Sequence, residues 1–525
     1  MRKIHLMLIC LVMSCGFSQA QKVYEVTPAT LHKTLKGIKP GKQDIEVCFK
    51  GGTYEISAPL SIDYALSKGR SITLKAAEGE KVVISGGVHV TGWQRIHGNL
   101  WKAPLNSDKK LRTLLVNGKR CRMAGARELQ NGLGAFGEIP VTGKESWAFG
   151  SGTAPEGILF GCGGEMSEFR NPKDVELVQN SVWSEKILCV EKMTKWGDTL
   201  AVTFQQPYGA VLTSLAWAGK TKFDGKFFVR NAYELLDEPG EFYFDRKEQT
   251  LYYMSDNEDM TKAEVIAPQT HVLLSIEGNS LQQRVENVKV EGITFAYDAW
   301  NLMDLDGSNG FGGIQSLAMA VKYIPDGNWH PTKYNSTILP EGTVQISNAA
   351  HISLLRNRFE HLGSAVAVNL CNDVTDAKVV GNYFNDLLGC AVSVGHPQHY
   401  EIGDGEGDIL CGSSDPEKIA AFYQKLGAKS VIVKCGPQGA YYATPEKTGK
   451  VAGFIIDKVV DTVGAGDGFA AGVLSGLMEG IDFDKAVERG CAIGAIQCTF
   501  TGDNEGLPTP KQLQDFMSSH KRRDF

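Results

Sequence analysis

The chain has 525 residues, 42% of them hydrophobic, with a net charge of −6 and an isoelectric point of about 6.1. That length suggests several domains, each with apolar content enough for a core. Ordinary charge without a basic stripe sets nucleic acid aside as the main partner, and singly scattered cysteines indicate neither a zinc site nor a disulfide framework.

Met1-Arg2-Lys3, an apolar run over 6–17 and then Ser18-Gln19-Ala20 read as a secretory signal peptide over residues 1–20. Cleavage is expected after Ala20; Cys15, as a lipoprotein cysteine, is the alternative. The run is too short to cross a bilayer, and no later segment is long and apolar enough to do so. The chain is therefore expected to be exported, to the periplasm, the cell surface or the medium. The remaining cysteines are expected to be small buried apolar residues.

Residues 21–400 read as β-structure. Ile45–Phe49 alternates at strand period, 50–54 turns it, and 71–74 and 82–87 repeat the theme. Short strands broken by glycines, with no amphipathic helix between them, predict an all-β region. A second β-rich section includes Glu241–Asp245 and residues 251–254.

Farther on, 352–359 with Asn357 is similar to 377–384 with Asn382, and 363–368 echoes 389–394, while 288–295 is an earlier copy. A repeat of about 25 residues suits one turn of a parallel β-helix, whose coils bury their faces on their neighbours. Asparagines at matching turns would then form a stacked ladder. A chance echo between two ordinary strand pairs is the other reading. Residues 49–54, 84–93, Leu115-Val116-Asn117-Gly118 and 236–243 resemble secreted right-handed parallel β-helix proteins of polysaccharide-degrading bacteria, over most of 40–400. That family contains glycoside hydrolases and lyases, so the resemblance implies a carbohydrate ligand such as an acidic polysaccharide. It bears on fold more than on reaction.

Asp304 and Asp306 flank one residue, so on a strand both carboxylates share a face. They read as an acid/base pair, as calcium ligands or as solvated turn residues. The EF-hand pattern is not met, because Asn309 stands where glycine is required. His396 and His399 have metal-pair spacing, but Pro397 between them favours an irregular loop.

The coil pattern stops after Val394, and 401–412 form a polar, Gly-rich junction. From 413 the period becomes helical. Ser414 and Glu417 make a capping-box pair, Pro416 sits in the first turn, and Ile419, Phe422, Tyr423 and Leu426 form a stripe ended by Gly427. An apolar strand over 430–433 runs into Lys434-Cys435-Gly436-Pro437-Gln438-Gly439. Later, Gly464, Ala465 and Gly466 precede Asp467, which opens a helical pattern of Phe469, Ala470, Val473, Leu474, Leu477 and Met478. Small residues at a helix N-terminus leave backbone N–H groups and the positive dipole end open to an anion. A carboxylate in that turn can take a proton from a hydroxyl beside the anion, the arrangement phosphoryl transfer requires. A Gly-rich helix start with an N-cap aspartate is the plainer reading.

Residues 461–472 resemble the signature of the ribokinase-like (PfkB) sugar kinases. Residues 434–439 look like that family's nucleotide loop, and Gly502-Asp503 with Gly506-Leu507-Pro508-Thr509 like its C-terminal segment. The closest resemblance is to 2-keto-3-deoxygluconate kinases, over roughly the last fifth of the chain. It implies an α/β ribokinase-like half-domain over 413–525 that uses ATP and Mg2+ on a sugar acid. By position, Lys434, Gly436, Gln438 and Gly439 would contact ATP. Gly464, Ala465 and Gly466 would form the anion hole, Asp467 would be the general base, and Asp461 and Val463 would hold a monovalent cation. Cys491 stands where relatives carry an asparagine near the adenine. The family's first half, with its sugar pocket and lid, is not recognisable, and its Asn-x-x-Glu metal motif is missing; Asn231-Ala232-Tyr233-Glu234 lies inside the β-rich region. Half a kinase would expose an apolar sheet edge and unpartnered faces. The expectation is a two-part chain made by in-frame fusion, a truncated β-helix followed by a kinase half-domain.

Overall fold

The computed structural model describes residues 21–125, 134–140, 148–149, 152–153, 156–161, 169–181, 184–205, 209, 227–300, 310–314, 317–321, 337–338, 340–395, 411–502 and 505–523. Residues 1–20, expected to be a signal peptide, Asp304, Asp306, His396, His399, Asp503 and residues 401–410 lie outside them. The chain divides into two units, Met1–Tyr400 and Glu401–Phe525.

Three parallel sheets dominate the first unit. One orders Lys22–Val26, Ile45–Phe49, Ile72–Ala76, Val285–Glu291, Ala349–Leu355 and Lys378–Val380. A second orders Gly52–Glu55, Val82–Ser85, Thr294–Ala296, Arg358–Leu362 and Tyr383–Leu387. The third orders Leu60–Asp63, Leu274–Glu277, Val344–Ser347, Val366–Leu370 and Cys390–Val394. From Ile45 on, each pass of the chain gives one strand to each sheet, Lys22–Val26 adding a further strand to the first, and alternation decides which residues face inward: Ile45, Val47 and Phe49 are buried, Glu46 and Cys48 half-buried.

The match of 352–359 with 377–384 coincides with the strand register, which pairs Arg358 with Tyr383 and Phe359 with Phe384; the echo of 363–368 in 389–394 does not, since Val368 pairs with Val392 and Leu370 with Val394. Phe359 stacks on Phe295 at 5.5 Å and on Phe384 at 4.9 Å. Beside this column runs the asparagine ladder. Asn357 Nδ2 donates to Val290 O at 3.0 Å and to Asn382 Oδ1 at 3.1 Å, and Asn357 Oδ1 accepts from Ile293 N at 3.1 Å. Asn382 repeats the motif one pass later, donating to Leu354 O at 2.8 Å.

Between Gly87 and Pro268 the chain leaves the three sheets and builds antiparallel ones, including the hairpin of Glu241–Asp245 and Thr250–Met254. Three local expectations need correction. Residues 52–55 form a strand, not a turn. Helices Leu31–Gly37 and Tyr64–Ser67 occur where none was expected; the second is capped by Asp63, whose carboxylate accepts from Leu66 N at 2.7 Å. Finally, the described cysteines are not uniformly buried: Cys189, Cys371 and Cys491 are, but Cys390 is exposed on the terminal strand of its sheet.

The second unit runs α1 (Pro416–Lys425), β1 (Val431–Lys434), β2 (Gly439–Ala443), β3 (Thr448–Ala452), α2 (Ala465–Met478), α3 (Phe483–Gln497) and α4 (Pro510–Ser519). Its three strands are antiparallel in chain order. Helix α1 is capped by Asp415, not Ser414, through a 2.9 Å bond from Glu417 N. The reciprocal capping box lies instead at α4, between Thr509 and Gln512. The face that α2 buries also differs from the stripe read in the sequence. Gly468, Gly472, Val473 and Gly476 are buried, whereas Leu474 and Met478 are 60% and 88% exposed. Glycines four apart let the α3 backbone approach, so close packing selects the small-residue face over the larger apolar one. Leu474 and Met478 therefore leave an apolar face of α2 exposed.

Candidate functional site

Strand β1 ends at Lys434, and a tight turn over Gly436–Gln438 leads into β2. Gly439 closes that turn at φ +114, with the place of a side chain filled by Val451 O at 2.0 Å, so glycine alone fits. Gly464 caps α2 in the left-handed region at φ +75. The ladder of α2 opens with Gly468 N donating to Gly464 O at 2.8 Å. Gly466 and Asp467, in the turn before, have N–H groups without an acceptor four residues back among the described residues. The Lys434 ammonium lies against Gly466. A strand-end cation and a helix N-terminus thus share one spot.

These elements bound a cavity of about 300 Å³. Lys434, Gly436, Gly439, Ala465, Gly466 and Cys491 line it, six of the residues expected from sequence. No aspartate or glutamate does, among the described residues. Phe454 and Phe469 give the cavity an apolar wall. Burial, with Cys435 nearby, pushes the Cys491 thiol up to about 12, so it stays neutral and acts as a further apolar surface.

Gly464 and Gln438 do not line the cavity; the Gln438 carbonyl accepts from Gly453 N at 2.9 Å. Asp467 is exposed on the first turn of α2. The Asp461 carboxylate accepts from Val463 N at 3.0 Å and Gly502 N at 3.3 Å, and these amides hold its pKa below the usual carboxylate range. Asp461 thereby ties the turn before α2 to the segment after α3.

Several lining residues, Phe454 and Arg523 among them, were not read from the sequence. Phe454 and Arg522 form an isolated bridge, and Arg523 N donates to Gly453 O at 2.9 Å, which brings Arg523 to the cavity. The only signal was the basic run Lys521-Arg522-Arg523, which by itself reads as a solvated tail.

The pfkB family carbohydrate kinase profile matches residues 366–510, so the C-terminal unit carries the ribokinase-like PfkB fold. The match opens inside the first unit, where Val366–Leu370 pairs with Val344–Ser347. Among individual proteins, a 2-dehydro-3-deoxygluconokinase of Bacillus subtilis is 44% identical over 146 residues, 28% of this chain and 43% of that kinase. A 5-dehydro-2-deoxygluconokinase of Geobacillus thermodenitrificans is 31% identical over 134 residues, 25% of this chain and 38% of its own length. The chain spans less than half of these curated relatives.

A GH141 insertion domain profile matches residues 163–256. A solved glycoside hydrolase superposes with a TM-score of 0.54 at 24% identity, covering 71% of this chain and 64% of that one. At that identity the likeness concerns fold alone.

Proposed function

We propose that residues 413–525 bind ATP in the Lys434 cavity, as a segment of a 2-keto-3-deoxygluconate kinase-like enzyme that transfers phosphoryl to a sugar-acid hydroxyl. The observation that carries this is a cavity holding Lys434, Arg523 and a helix N-terminus with no lining carboxylate among the described residues. Net positive potential beside an apolar wall suits a polyphosphate attached to a flat base. Phe454, Phe469 and the neutral Cys491 would face the base; Lys434, Arg523 and the Gly466 amide would face phosphate oxygens. Charge-assisted hydrogen bonds of this kind contribute about 1.5–3 kcal/mol each. Among the described residues no carboxylate lines the cavity, so the lining itself offers Mg2+ no carboxylate ligand. Asp467 is the candidate base, exposed beside the anion position.

Titrating the full chain with a fluorescent ATP analogue tests the reading, with Lys434→Ala expected to weaken binding about tenfold or more. For turnover, 2-keto-3-deoxygluconate is the acceptor; equal rates in the wild type and Asp467→Asn would end the assignment of the base.

A second reading concerns the first unit. We infer that its three parallel sheets are faces of a right-handed parallel β-helix that binds or cleaves polysaccharide, as a glycoside hydrolase or lyase. The in-register strands and the asparagine ladder support it. Release of reducing ends from plant and microbial glycans would separate cleavage from binding. Export by residues 1–20 belongs to the same proposal; a secreted form beginning at Gln21 would support it, and a cytoplasmic full-length chain would refute it. In-frame fusion of the two parts is tested by sequencing across the locus, where two intact neighbouring genes would remove it.

A further inference from the structure

A recess lies where the antiparallel insertion rejoins the parallel sheets. Three segments of the first unit meet there: 107–113, the turn over 268–271, and Ala299-Trp300. Contacts distant in sequence hold them. Ser107 N donates to Gln249 Oε1 at 2.8 Å, and Gln249 Nε2 donates back to Ser107 O at 2.8 Å, so one amide side chain clamps the first segment. Ala299 N donates to Thr270 O at 2.9 Å, which joins the other two. The recess so formed has a volume of about 20 Å³. One water needs about 10–15 Å³, so a carboxylate-sized head fits there and a sugar ring does not.

Charge in this recess is one-sided. Lys109, Lys110 and Arg112 line it, and no aspartate or glutamate does among the described residues. Glu176, fully buried and not part of the lining, accepts from Lys110 at 3.2 Å, from Arg112 at 3.0 Å and from Arg230 at 2.9 Å. Lys110 and Arg230 alone set two cations against that one carboxylate, so the recess stays electropositive.

Lys109 is held differently. It is exposed, and its ammonium lies 3.1 Å from His271 Nε2. An ammonium can only donate, so Nε2 accepts, and the ring proton sits on Nδ1, 3.3 Å from the Ala299 carbonyl. That carbonyl fixes the tautomer, and a neutral imidazole positions the lysine without cancelling its charge. A carboxylate in the same place would position it and neutralise it. Trp300 lines the recess too, with its side chain packed against the apolar cluster that includes Val178 and Val366. A fixed indole beside a held cation suits a ring with one apolar face and one negative group.

We infer that this recess takes the carboxylate of a uronate residue in an acidic oligosaccharide. The carboxylate accepts from Lys109 under the positive potential of Lys110 and Arg112, while the sugar ring stays outside, against Trp300. This rests on reading the first unit as a carbohydrate-binding β-helix and narrows its ligand to glycans that carry carboxylates.

The test is calorimetric titration of the full chain with tetragalacturonate, with galactotetraose as the neutral counterpart and a sulfated galactan tetramer as the other anion. Tetragalacturonate should bind, less tightly as salt rises, and galactotetraose at least about tenfold more weakly. Lys109→Gln, at an exposed side chain, should weaken uronate binding about tenfold with the melting temperature unchanged. Lys262→Gln removes the same charge from a lysine 83% exposed and outside the recess, and should leave binding as it was. Uronate binding that survives Lys109→Gln, or equal or tighter binding of galactotetraose or the sulfated tetramer, overturns this site while leaving the carbohydrate reading intact. Binding of none of the three overturns both.

Discussion

A Cβ built on Gly466 would stand 2.9 Å from the Nζ of Lys434. The last residue of a strand and the second residue of a helix therefore share a space sized for a bare backbone and a cation. Gly466→Val should push the ammonium away and cover the open amides of α2. Nucleotide affinity is expected to fall about tenfold or more, roughly 1.4 kcal/mol, with the tail still folded by protease resistance. Unchanged affinity in Gly466→Val would separate Lys434 from the anion site.

Asn357 is 1% exposed and bonds to groups on the passes before and after its own. Asn357→Ala leaves Ile293 N–H, Val290 O and Asn382 Oδ1 without it, at a cost of about 1–3 kcal/mol for each buried group left unpaired. Calorimetry should show a lower melting temperature for the transition of the first unit and none for the second. Asn382→Ala, nearer the surface, should have a smaller effect.

Glu176 is fully buried, with Lys110 at 3.2 Å, Arg112 at 2.7 Å and Arg230 at 2.9 Å. Burial alone would raise its pKa, but Arg112, then Lys110 and Arg230, hold it well below the usual range. A depressed carboxylate stabilises the fold above its unfolded pKa of about 4.3 and loses that contribution as pH falls toward the folded value. Glu176→Gln should therefore cost about 3–5 kcal/mol at pH 7 by leaving buried cations uncompensated. The gap from wild type should narrow only below about pH 4. A pH-independent difference in urea midpoints would contradict the assignment.

Gly472 lies on one face of α2, and Leu474 and Met478 on another. A Cβ on Gly472 would come 2.8 Å from Gly490 Cα, while Met478 is 88% exposed. Gly472→Leu should separate α2 from α3, cost about 1–3 kcal/mol or more, and make the tail protease-sensitive. Met478→Glu with Leu474→Lys should leave protease resistance unchanged and reduce self-association in sedimentation. Reversed outcomes would mean that the exposed face is the packed one.

Local and repeated features were legible in the sequence. The alternation in Ile45–Phe49, the matching of Asn357 with Asn382, and the small residues before Asp467 each depend on near neighbours or on one spacing applied twice. Caps were less legible: Ser414 and Asp415 carry the same chemistry one residue apart, and only the chain direction at Pro416 selects Asp415. The α2 stripe misled for another reason. Hydrophobicity marks a face that prefers burial, but the glycine face is the one a second backbone can reach.

From sequence alone came the register that sets 352–359 on 377–384 and six residues of the Lys434 cavity, because periodicity and a compact motif are written in adjacent positions. Tertiary structure decided the rest: that Arg523 joins Lys434, that Arg120 closes on Asp386, and that Glu176 meets three cations 54 to 66 residues away. Charges so far apart carry no mutual signal in the chain. They meet because burying the apolar faces leaves each carboxylate only the cations that the packed backbone brings within reach.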